Sequence, residues 1–359
     1  MKATQRLHDL GQSLWLDNIT RELLTSGTLQ RYINELAVTG LTSNPTIFDQ
    51  AIGGGSAYDE SLRKQSSAIP RDERGDERLF FDLALEDLTR AAALFRPVHD
   101  ATGGVDGWVS LEVSPLLANN ADSTIEMAQL LHTRAHCPNL FIKIPGTPAG
   151  TKAIEESIFA GVPVNVTLLF SREQYLAAAE AYMRGIERRI AAGRDPKVAG
   201  VASIFVSRWD VAVKGKVPAN LSNRLGIAIA GRTYKAYRDL LASPRWRKFE
   251  QAGALPQRLL WASTGTKDPE APDTLYIEAL AAPDTINTMP EKTLLGFADH
   301  GTVKHPMAPD GGDAESVLTQ FSKAGVDDAA LAQQLQREGA ESFDKSWKSL
   351  IARIAQKRG

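Results

Sequence analysis

A single lysine inside an apolar stretch is the residue of this chain best suited to covalent chemistry. Lys143 lies within residues 140–144, which are typical of a buried strand bounded by Pro138-Asn139 and Pro145-Gly146. Burial disfavours the charged form of an amine, and a neutral amine can attack a carbonyl carbon to form a Schiff base. Taken alone, the strand also fits a simpler reading, in which the ammonium reaches solvent or pairs with a carboxylate.

Polar residues also stand at the ends of six other strand-like stretches. Each has an ordinary explanation by itself, since Asp17 suits a helix cap, Thr167 is common in strands, and Asn44 before Pro45 is usual turn chemistry. Their convergence around one buried lysine favours a site. The residues are Asp17, Asn44, Glu112, Asn165, Thr167, Ser203, Arg208, Ser263 and Lys267.

Three of these residues match the needs of Schiff-base chemistry. Such a reaction requires a neutral lysine, an acid–base group that carries protons at the carbinolamine, and a second base for the carbon–carbon step. Lys143, Glu112 and Asp17 can fill these roles.

The remaining polar residues suit the binding of a phosphorylated sugar. Arg208 and Lys267 can bind a phosphate, helped by Ser263 and by backbone N–H groups near Gly265. The residues that can bind sugar hydroxyls are Asn44, Asn165 and Ser203.

The order of the predicted elements indicates how these residues meet. Short apolar strands alternate with amphipathic helices, which implies parallel strands joined by right-handed crossovers. Eight such units imply a closed (β/α)8 TIM barrel, whose site lies at the C-terminal ends of the strands. An open doubly wound sheet would need a glycine-rich turn after an early strand, and the first such turn here has none. The predicted strands are residues 13–18, 38–43, 108–113, 140–144, 163–169, 200–206, 258–263 and 274–279.

A helical segment follows the last predicted strand. Its apolar residues recur at three- and four-residue steps, which is typical of a helix that packs on the barrel. We therefore expect residues 1–359 to form one barrel domain, with residues 310–359 as a helical C-terminal extension. The recurring residues are Phe343, Trp347, Leu350, Ile351 and Ile354.

Composition narrows the partners and the compartment. The 359 residues include 41 Lys and Arg against 43 Asp and Glu, and the net charge of −2 does not favour nucleic acid or an anionic membrane as a partner. Apolar stretches stay short of the ~18 residues that a bilayer span needs, and the N-terminus lacks the apolar core of a signal peptide. The single cysteine, Cys137, fits a reducing cytoplasm. We expect a cytoplasmic enzyme, either a monomer or a homodimer.

One alternative is a metal site. His132 and His136 have the i, i+4 spacing of zinc ligands on a helix, and Cys137 adjoins them. That helix leads into the fourth strand, so its C-terminal end should lie on the barrel face away from the chemistry. We therefore expect no metal and no cofactor.

Four motifs together resemble the signatures of the transaldolase family. The resemblance runs from about Leu10 to the final helix. It implies a barrel enzyme of the class I aldolase type that moves a dihydroxyacetone unit from sedoheptulose 7-phosphate to glyceraldehyde 3-phosphate, giving erythrose 4-phosphate and fructose 6-phosphate, in the pentose phosphate pathway. The motifs are Gly40-Leu-Thr-Ser-Asn-Pro-Thr46, the strand around Lys143, Asn165-Val-Thr-Leu-Leu-Phe-Ser171 and Ser203-Ile-Phe-Val-Ser-Arg208.

The resemblance also implies roles for individual residues. Lys143 becomes the Schiff-base lysine and Asp17 the base at the cleaved bond, while Glu112 becomes the proton shuttle, with Thr167 holding a water. The family often has an arginine soon after the Ala-Ser of the seventh strand, where this chain offers Lys267, a point charge in place of a bidentate fork.

Two other functions remain open at this stage. Similar enzymes that cleave fructose 6-phosphate to free dihydroxyacetone are shorter and tend to carry Gln at the position of Glu112 and Tyr at that of Phe205, so both residues favour transfer. We also place Phe205 among the substrate-binding residues. A non-catalytic sugar-phosphate-binding barrel would keep Arg208 and Lys267 but would have no need for Lys143 and two carboxylates together.

Overall fold

The computed structural model describes residues 1–66 and 69–358, and its strands close into a barrel. Within these residues eight parallel strands follow one another around the barrel in chain order, and the last pairs with the first. Nearly every strand residue is buried, as expected where helices cover the outside and side chains fill the inside. The strands are β1 Ser13–Asp17, β2 Val38–Thr42, β3 Trp108–Glu112, β4 Leu140–Pro145, β5 Val164–Leu169, β6 Gly200–Phe205, β7 Gln257–Ala262 and β8 Thr285–Met289.

Helices fill the connections between the strands and form the end of the chain. Among the helices described, none is long and apolar enough to cross a membrane. They are α1 Ala3–Asp9, α2 Arg21–Thr25, α3 Thr28–Leu36, α4 Pro45–Gly53, α5 Asp59–Ser66, α6 Glu73–Ala101, α7 Ala121–Ala135, α8 Pro148–Ala160, α9 Arg172–Ala191, α10 Ser207–Val213, α11 Leu225–Ala242, α12 Pro244–Gln251, α13 Leu275–Ala279, α14 Glu291–His300, α15 Ala314–Lys323 and α16 Asp328–Lys357.

The (β/α)8 TIM barrel that the sequence predicts is confirmed. The first seven predicted strands match β1 to β7 to within one residue at each end. Two helices begin at polar caps that stand two residues after the end of a strand. Asn44 accepts a hydrogen bond from the backbone N–H of Ile47 at the start of α4, and Thr147 accepts one from Gly150 at the start of α8.

The eighth predicted strand is wrong. Within residues 274–279, Leu275–Ala279 form helix α13, in which Tyr276 and Ile277 are buried. So short an apolar run carries no period that separates a helix from a strand. The true β8 has polar residues at buried positions, and this hid it from an apolar pattern. The barrel supplies hydrogen bonds to some of these residues: Thr285 accepts one from Gln12, and Oδ1 of Asn287 accepts one from Thr264. Nδ2 of Asn287 has no partner among the described residues.

Aromatic rings fill the half of the barrel that is nearer to the N-terminal ends of the strands. Trp15, Trp108 and Phe141 pack together, with 4.2 Å between the ring centroids of Trp108 and Phe141. Gly40 in β2 makes room for this cluster, since a Cβ there would lie 2.6 Å from the Trp15 ring. These rings close the interior at the N-terminal ends of the strands, and the barrel is open at their C-terminal ends.

The last helix packs across the barrel, as its apolar stripe predicts. Helix α16 contacts α4, α6 and β5, while α15 contacts α11. Ion pairs fasten the C-terminal half of α16 to the helices beneath it, joining Arg353 to Asp49 and Lys357 to Asp59. The helix therefore reaches the open end of the barrel and forms part of its rim.

Candidate active site

Lys143 lies at the bottom of the barrel opening, beside the carboxylate of Glu112. The register pairs Glu112 of β3 with Lys143 of β4, and Lys143 with Asn165 of β5. The lysine is 5% exposed, and its Nζ lies 3.1 Å from Oε2 of Glu112 and donates to the backbone oxygen of Ser43 at 3.0 Å. The amine therefore stays inside the barrel and does not reach bulk solvent. It does have a neighbouring carboxylate, Glu112, as the simpler explanation of a buried lysine requires.

Glu112 is the proton exchange partner that this geometry offers. Burial raises the pKa of its carboxyl, Lys143 opposes that rise, and the nearby charge of Asp17 adds to it. Among the described residues, neither carboxyl oxygen accepts a well-aligned hydrogen bond, although the amine is close. Transfer of a proton from Lys143 to Glu112 removes two buried charges and leaves the neutral amine that Schiff-base formation needs.

Asp17 faces the opening from the end of β1 and is held by a chain of hydroxyls. Thr42 donates to Oδ1 of Asp17 at 2.8 Å, and the hydroxyls of Thr42 and Thr288 are 2.7 Å apart. Because the one hydroxyl proton of Thr42 points to Asp17, Thr288 is the donor in the second bond. Burial raises the pKa of Asp17, while Lys143, the Thr42 hydrogen bond and Lys267 oppose the rise.

We expect Thr42→Val to move the acidic limb of kcat to higher pH. Thr42 bonds the ionised form of Asp17 and so holds its pKa down, and without this donor burial raises the pKa further. A base must be ionised to act, so activity is then lost at a higher pH on acidification. The measurement is kcat against pH. Thr42→Ser is the control, because it keeps the hydroxyl and should leave the acidic limb at its original pH. An unshifted limb in Thr42→Val would show that this bond does not govern the ionisation of Asp17.

A second polar chain lies beneath the opening. Ser203 donates to Oδ1 of Asn165 at 2.7 Å, and Nδ2 of Asn165 donates to Ser110 at 3.2 Å. Ser203 borders the cavity, whereas Asn165 is fully buried and does not. Direct contact of Asn165 with a sugar therefore stays a prediction, and in this geometry Asn165 supports the hydroxyl of Ser203.

Thr167 has a free hydroxyl at the edge of the opening. Its side chain is 1% exposed and borders the cavity, and within the described residues its Oγ1 has no hydrogen-bond partner. Buried hydroxyls are usually satisfied, so an unpartnered one in a polar cavity is suited to hold a water or a substrate group.

These side chains surround a cavity of about 360 Å³ at the C-terminal ends of the strands. Of the residues predicted for the site, Glu112 and Asn165 lie just beneath it and the others line it. The lining residues among the predictions are Asp17, Asn44, Lys143, Thr167, Ser203, Phe205, Arg208, Ser263 and Lys267.

Arg208 lies in the first turn of α10, whereas the sequence prediction placed it at the end of the sixth strand. The run after β6 is rich in valine and tryptophan, which favour strands, and this composition concealed the short helix. The Arg208 guanidinium is 5.8 Å from the ring centroid of Phe205, and it forms no ion pair with the residues that the structure describes. Burial lowers its pKa, with Glu338 opposing that shift.

The chain turns sharply after β7 to complete the rim. Ser263 adopts a left-handed conformation with φ of 55°, and its hydroxyl lies 2.9 Å from that of Ser207 at the start of α10. Beyond this turn, Gly265 and Lys267 also border the cavity. Lys267 is exposed, so it is free to move toward a bound anion.

Several lining residues escaped the sequence prediction, and three of them have a clear part in the site. Thr42 and Thr288 hold Asp17, and Phe343 of α16 forms part of the wall. Thr42 lies two residues before Asn44 within a motif that was recognised, so its position could have been found. Phe343 was recognised only as a packing residue, and Thr288 lies in the overlooked β8.

The structure also places the histidine pair. His132 lies in α7, and His136 follows that helix in a left-handed conformation with φ of 49°. Across residues 1–66 and 69–358, no three His, Cys, Asp or Glu side chains are grouped so that they could hold a metal ion.

Known proteins are similar to this chain over nearly its whole length. Residues 14–354 match the family model described as transaldolase/fructose-6-phosphate aldolase. A protein named transaldolase from Parafrankia sp. is 43% identical, with 100% of this chain and 98% of that protein aligned. Another from Thermobifida fusca is 43% identical over 98% and 97% of the two chains, and one from Neisseria meningitidis is 39% identical over 96% and 97%.

Proposed function

This chain belongs to the transaldolase/fructose-6-phosphate aldolase family and acts as a transaldolase, and we propose that Lys143 carries the dihydroxyacetone unit that it transfers. The observation that supports this role most is the buried amine of Lys143, 3.1 Å from a carboxylate at the bottom of an open cavity. The donor is a ketose phosphate such as sedoheptulose 7-phosphate, and the acceptor is glyceraldehyde 3-phosphate.

The first step joins the donor to the enzyme. The neutral amine of Lys143 attacks C2 of the ketose and forms a carbinolamine. Glu112 gives a proton to the leaving hydroxyl through a water held by Thr167, so that a water molecule departs and the Schiff base forms. The raised pKa of Glu112 supports this role, because burial favours the protonated carboxyl that can give up a proton.

The second step breaks the bond between C3 and C4 of the donor. Asp17 takes the proton of the C4 hydroxyl, the aldehyde carbonyl forms at C4, and the electrons of the broken bond move into the Schiff base. The aldehyde product leaves, and an enamine of dihydroxyacetone stays on Lys143. The acceptor aldehyde then enters, the enamine attacks its carbonyl, and Asp17 returns the proton to the new hydroxyl.

If the enzyme is to transfer the dihydroxyacetone unit and not merely release it, the enamine must persist on Lys143 until an acceptor aldehyde binds. Phe205 and Phe343 line the cavity beside the reacting lysine, and apolar walls reduce the access of water to the bound unit. Free dihydroxyacetone should therefore form far more slowly than fructose 6-phosphate when an acceptor is present. Release of dihydroxyacetone as the main product would instead favour the aldolase reaction of the same family.

Trapping of the intermediate tests the proposed role of Lys143. The protein is incubated with fructose 6-phosphate and borohydride, digested, and analysed by mass spectrometry for a three-carbon adduct. We expect the adduct on the peptide that contains Lys143. An adduct on Lys152 or Lys267 would overturn the assignment, and complete absence of an adduct would refute the Schiff-base mechanism.

The phosphate of the sugar is proposed to bind between Arg208 and Lys267. Arg208 is half-buried, faces the cavity and lacks an ion-pair partner among the described residues, and Lys267 lines the same cavity. Among the described residues that line the cavity, Asp17 is the only carboxylate and it accepts a hydrogen bond from Thr42, so Arg208 and Lys267 offer positive charge to an anion. A phosphate there would hold the far end of the sugar while Lys143 acts on C2.

We expect Arg208→Ala to lower kcat/KM for phosphorylated donors by ~10–100-fold, since each charge-assisted contact contributes roughly 1.5–3 kcal/mol. Unphosphorylated fructose should be affected much less. Lys267→Ala should show the same selectivity with a smaller loss, because an ammonium lacks the bidentate geometry. Kinetics on matched phosphorylated and unphosphorylated donors make the measurement. Equal losses on both donors would mean that these residues shape the cavity without binding phosphate.

We also propose a cytoplasmic location, in keeping with a half-buried lone Cys137 and with a reaction on phosphorylated sugars. Whether the enzyme is a monomer or a homodimer stays a prediction that sedimentation of the purified chain can decide.

A further inference from the structure

One glutamine of α16 joins the ends of the two strands that carry Lys143 and Thr167. Nε2 of Gln336 donates to the backbone oxygen of Gly146, directly after β4, at 3.0 Å, and to that of Leu168, in β5, at 2.9 Å. The two strand ends also bond to each other, since the N–H of Gly146 donates to the oxygen of Thr167 at 2.8 Å. Gln336 therefore closes a small network around the backbone of Thr167.

The backbone at Leu168 is strained. Its φ is 58°, in the left-handed region that a bulky side chain rarely adopts, and the pairing of β5 with β6 shifts register between Val166 and Leu169. A residue persists in such a conformation only where its surroundings hold it there. Leu168 is buried, and Gln336 provides a hydrogen bond to its carbonyl group.

The close approach of α16 to this point is built into its sequence. Gly339 lies one helical turn after Gln336, on the same face, and a Cβ at Gly339 would lie 2.9 Å from Cδ2 of Leu168. One turn further on, Phe343 reaches the cavity wall. At successive turns, the helix thus places the amide of Gln336, the small residue Gly339 and the ring of Phe343 against the barrel opening.

We propose that Gln336 is a positioning residue for the reaction, acting through Leu168 and Gly146 on the hydroxyl of Thr167. The inference rests on the proposed function and adds to it a part for the C-terminal helix. Leu168 follows Thr167 directly, so the left-handed turn at Leu168 fixes where the backbone of Thr167 lies and where its unpartnered hydroxyl points. Without the two hydrogen bonds from Gln336, the turn relaxes and the hydroxyl of Thr167 leaves its position at the edge of the cavity.

Gln336→Met tests the proposal, because methionine keeps the length of the side chain and lacks the donor. We expect kcat to fall by roughly tenfold or more with KM within about twofold, since small misplacements at a reacting centre are costly. The rate at which borohydride traps the Schiff base should fall in parallel. The matched control is Gln333→Met, the same substitution at an exposed position of the same helix, which should leave both rates unchanged.

A double-mutant cycle separates positioning from general destabilisation. If Gln336 acts through Thr167, then Gln336→Met added to Thr167→Val should cost little beyond Thr167→Val alone. Independent losses that multiply in the double variant would overturn the proposal, and so would a Gln336→Met enzyme as fast as Gln333→Met. In all of these variants the borohydride adduct should still form on Lys143 and on no other lysine. An adduct on Lys143 shows that the proposed function holds even where the proposal for Gln336 fails.

Two further variants keep the test decisive if Gln336→Met does not fold. Gln336→Lys retains N–H donors that can reach both carbonyl oxygens, and it should keep most of the trapping rate. Gln336→Glu has the shape of glutamine but offers its acceptors to two carbonyl oxygens, so it should lose at least as much as Gln336→Met. Equal trapping rates in the lysine and glutamate variants would contradict a role for the donor.

Discussion

Lys143→Arg should abolish turnover and leave no borohydride adduct. A guanidinium cannot be deprotonated in a protein, so the variant keeps a positive charge beside Glu112 and loses the nucleophile. We expect a fall in kcat on the order of 10⁴-fold or more, as for the loss of other covalent nucleophiles. The measurements are coupled assays of fructose 6-phosphate formation and mass spectrometry of the trapped enzyme.

Two controls make this result specific. Lys152 is exposed and paired with Asp122, so Lys152→Arg should keep full activity and a normal adduct at Lys143. Lys143→Gln removes the charge as well as the nucleophile, and it should be as inactive as the arginine variant. Thermal unfolding of all three variants checks that the fold survives. Residual turnover with an adduct elsewhere would assign the Schiff base to another lysine.

The parts of the fold that the sequence predicted are those where pattern and packing agree. The strand of Lys143 was recognisable because five of its six residues are apolar or proline and all six are buried, so that the lysine stood out. Its neighbours Glu112 and Thr167 were recognisable for the same reason. In a parallel barrel such residues meet at one end of the sheet, and their spacing along the chain is then enough to predict a shared site.

The parts that escaped prediction are those where long-range contacts override local pattern. Strand β8 has a buried threonine and an asparagine that accept hydrogen bonds from Gln12 and Thr264, which lie outside the strand, and only the folded barrel brings these donors close. Gln336 lies 168 residues from Leu168, and nothing in its surroundings in the sequence separates it from the exposed Gln333. Contacts of this kind become visible only when the helix is placed on the barrel.

Asp17 and Glu112 differ in surroundings, and we expect their loss to stop the reaction at different steps. Asp17 is at the rim of the opening and is bonded to Thr42, whereas Glu112 is buried beside the amine. Asp17→Ala should therefore still form a Schiff base that borohydride traps, yet fail to cleave the bond between C3 and C4. Glu112→Ala should slow the formation of the Schiff base itself.

Each loss of acid–base assistance should cost ~10²–10⁴-fold in its own step. Rapid quenching with borohydride measures formation of the Schiff base, and release of the aldehyde product measures cleavage. Removal of Glu112 leaves Lys143 buried without its partner, so unfolding of that variant is measured first. In a folded Glu112→Ala enzyme the nucleophile is still present, and a slow trapping rate then reports the missing proton donor. Equal trapping rates in the two variants would show that the two carboxylates do not divide the steps as proposed.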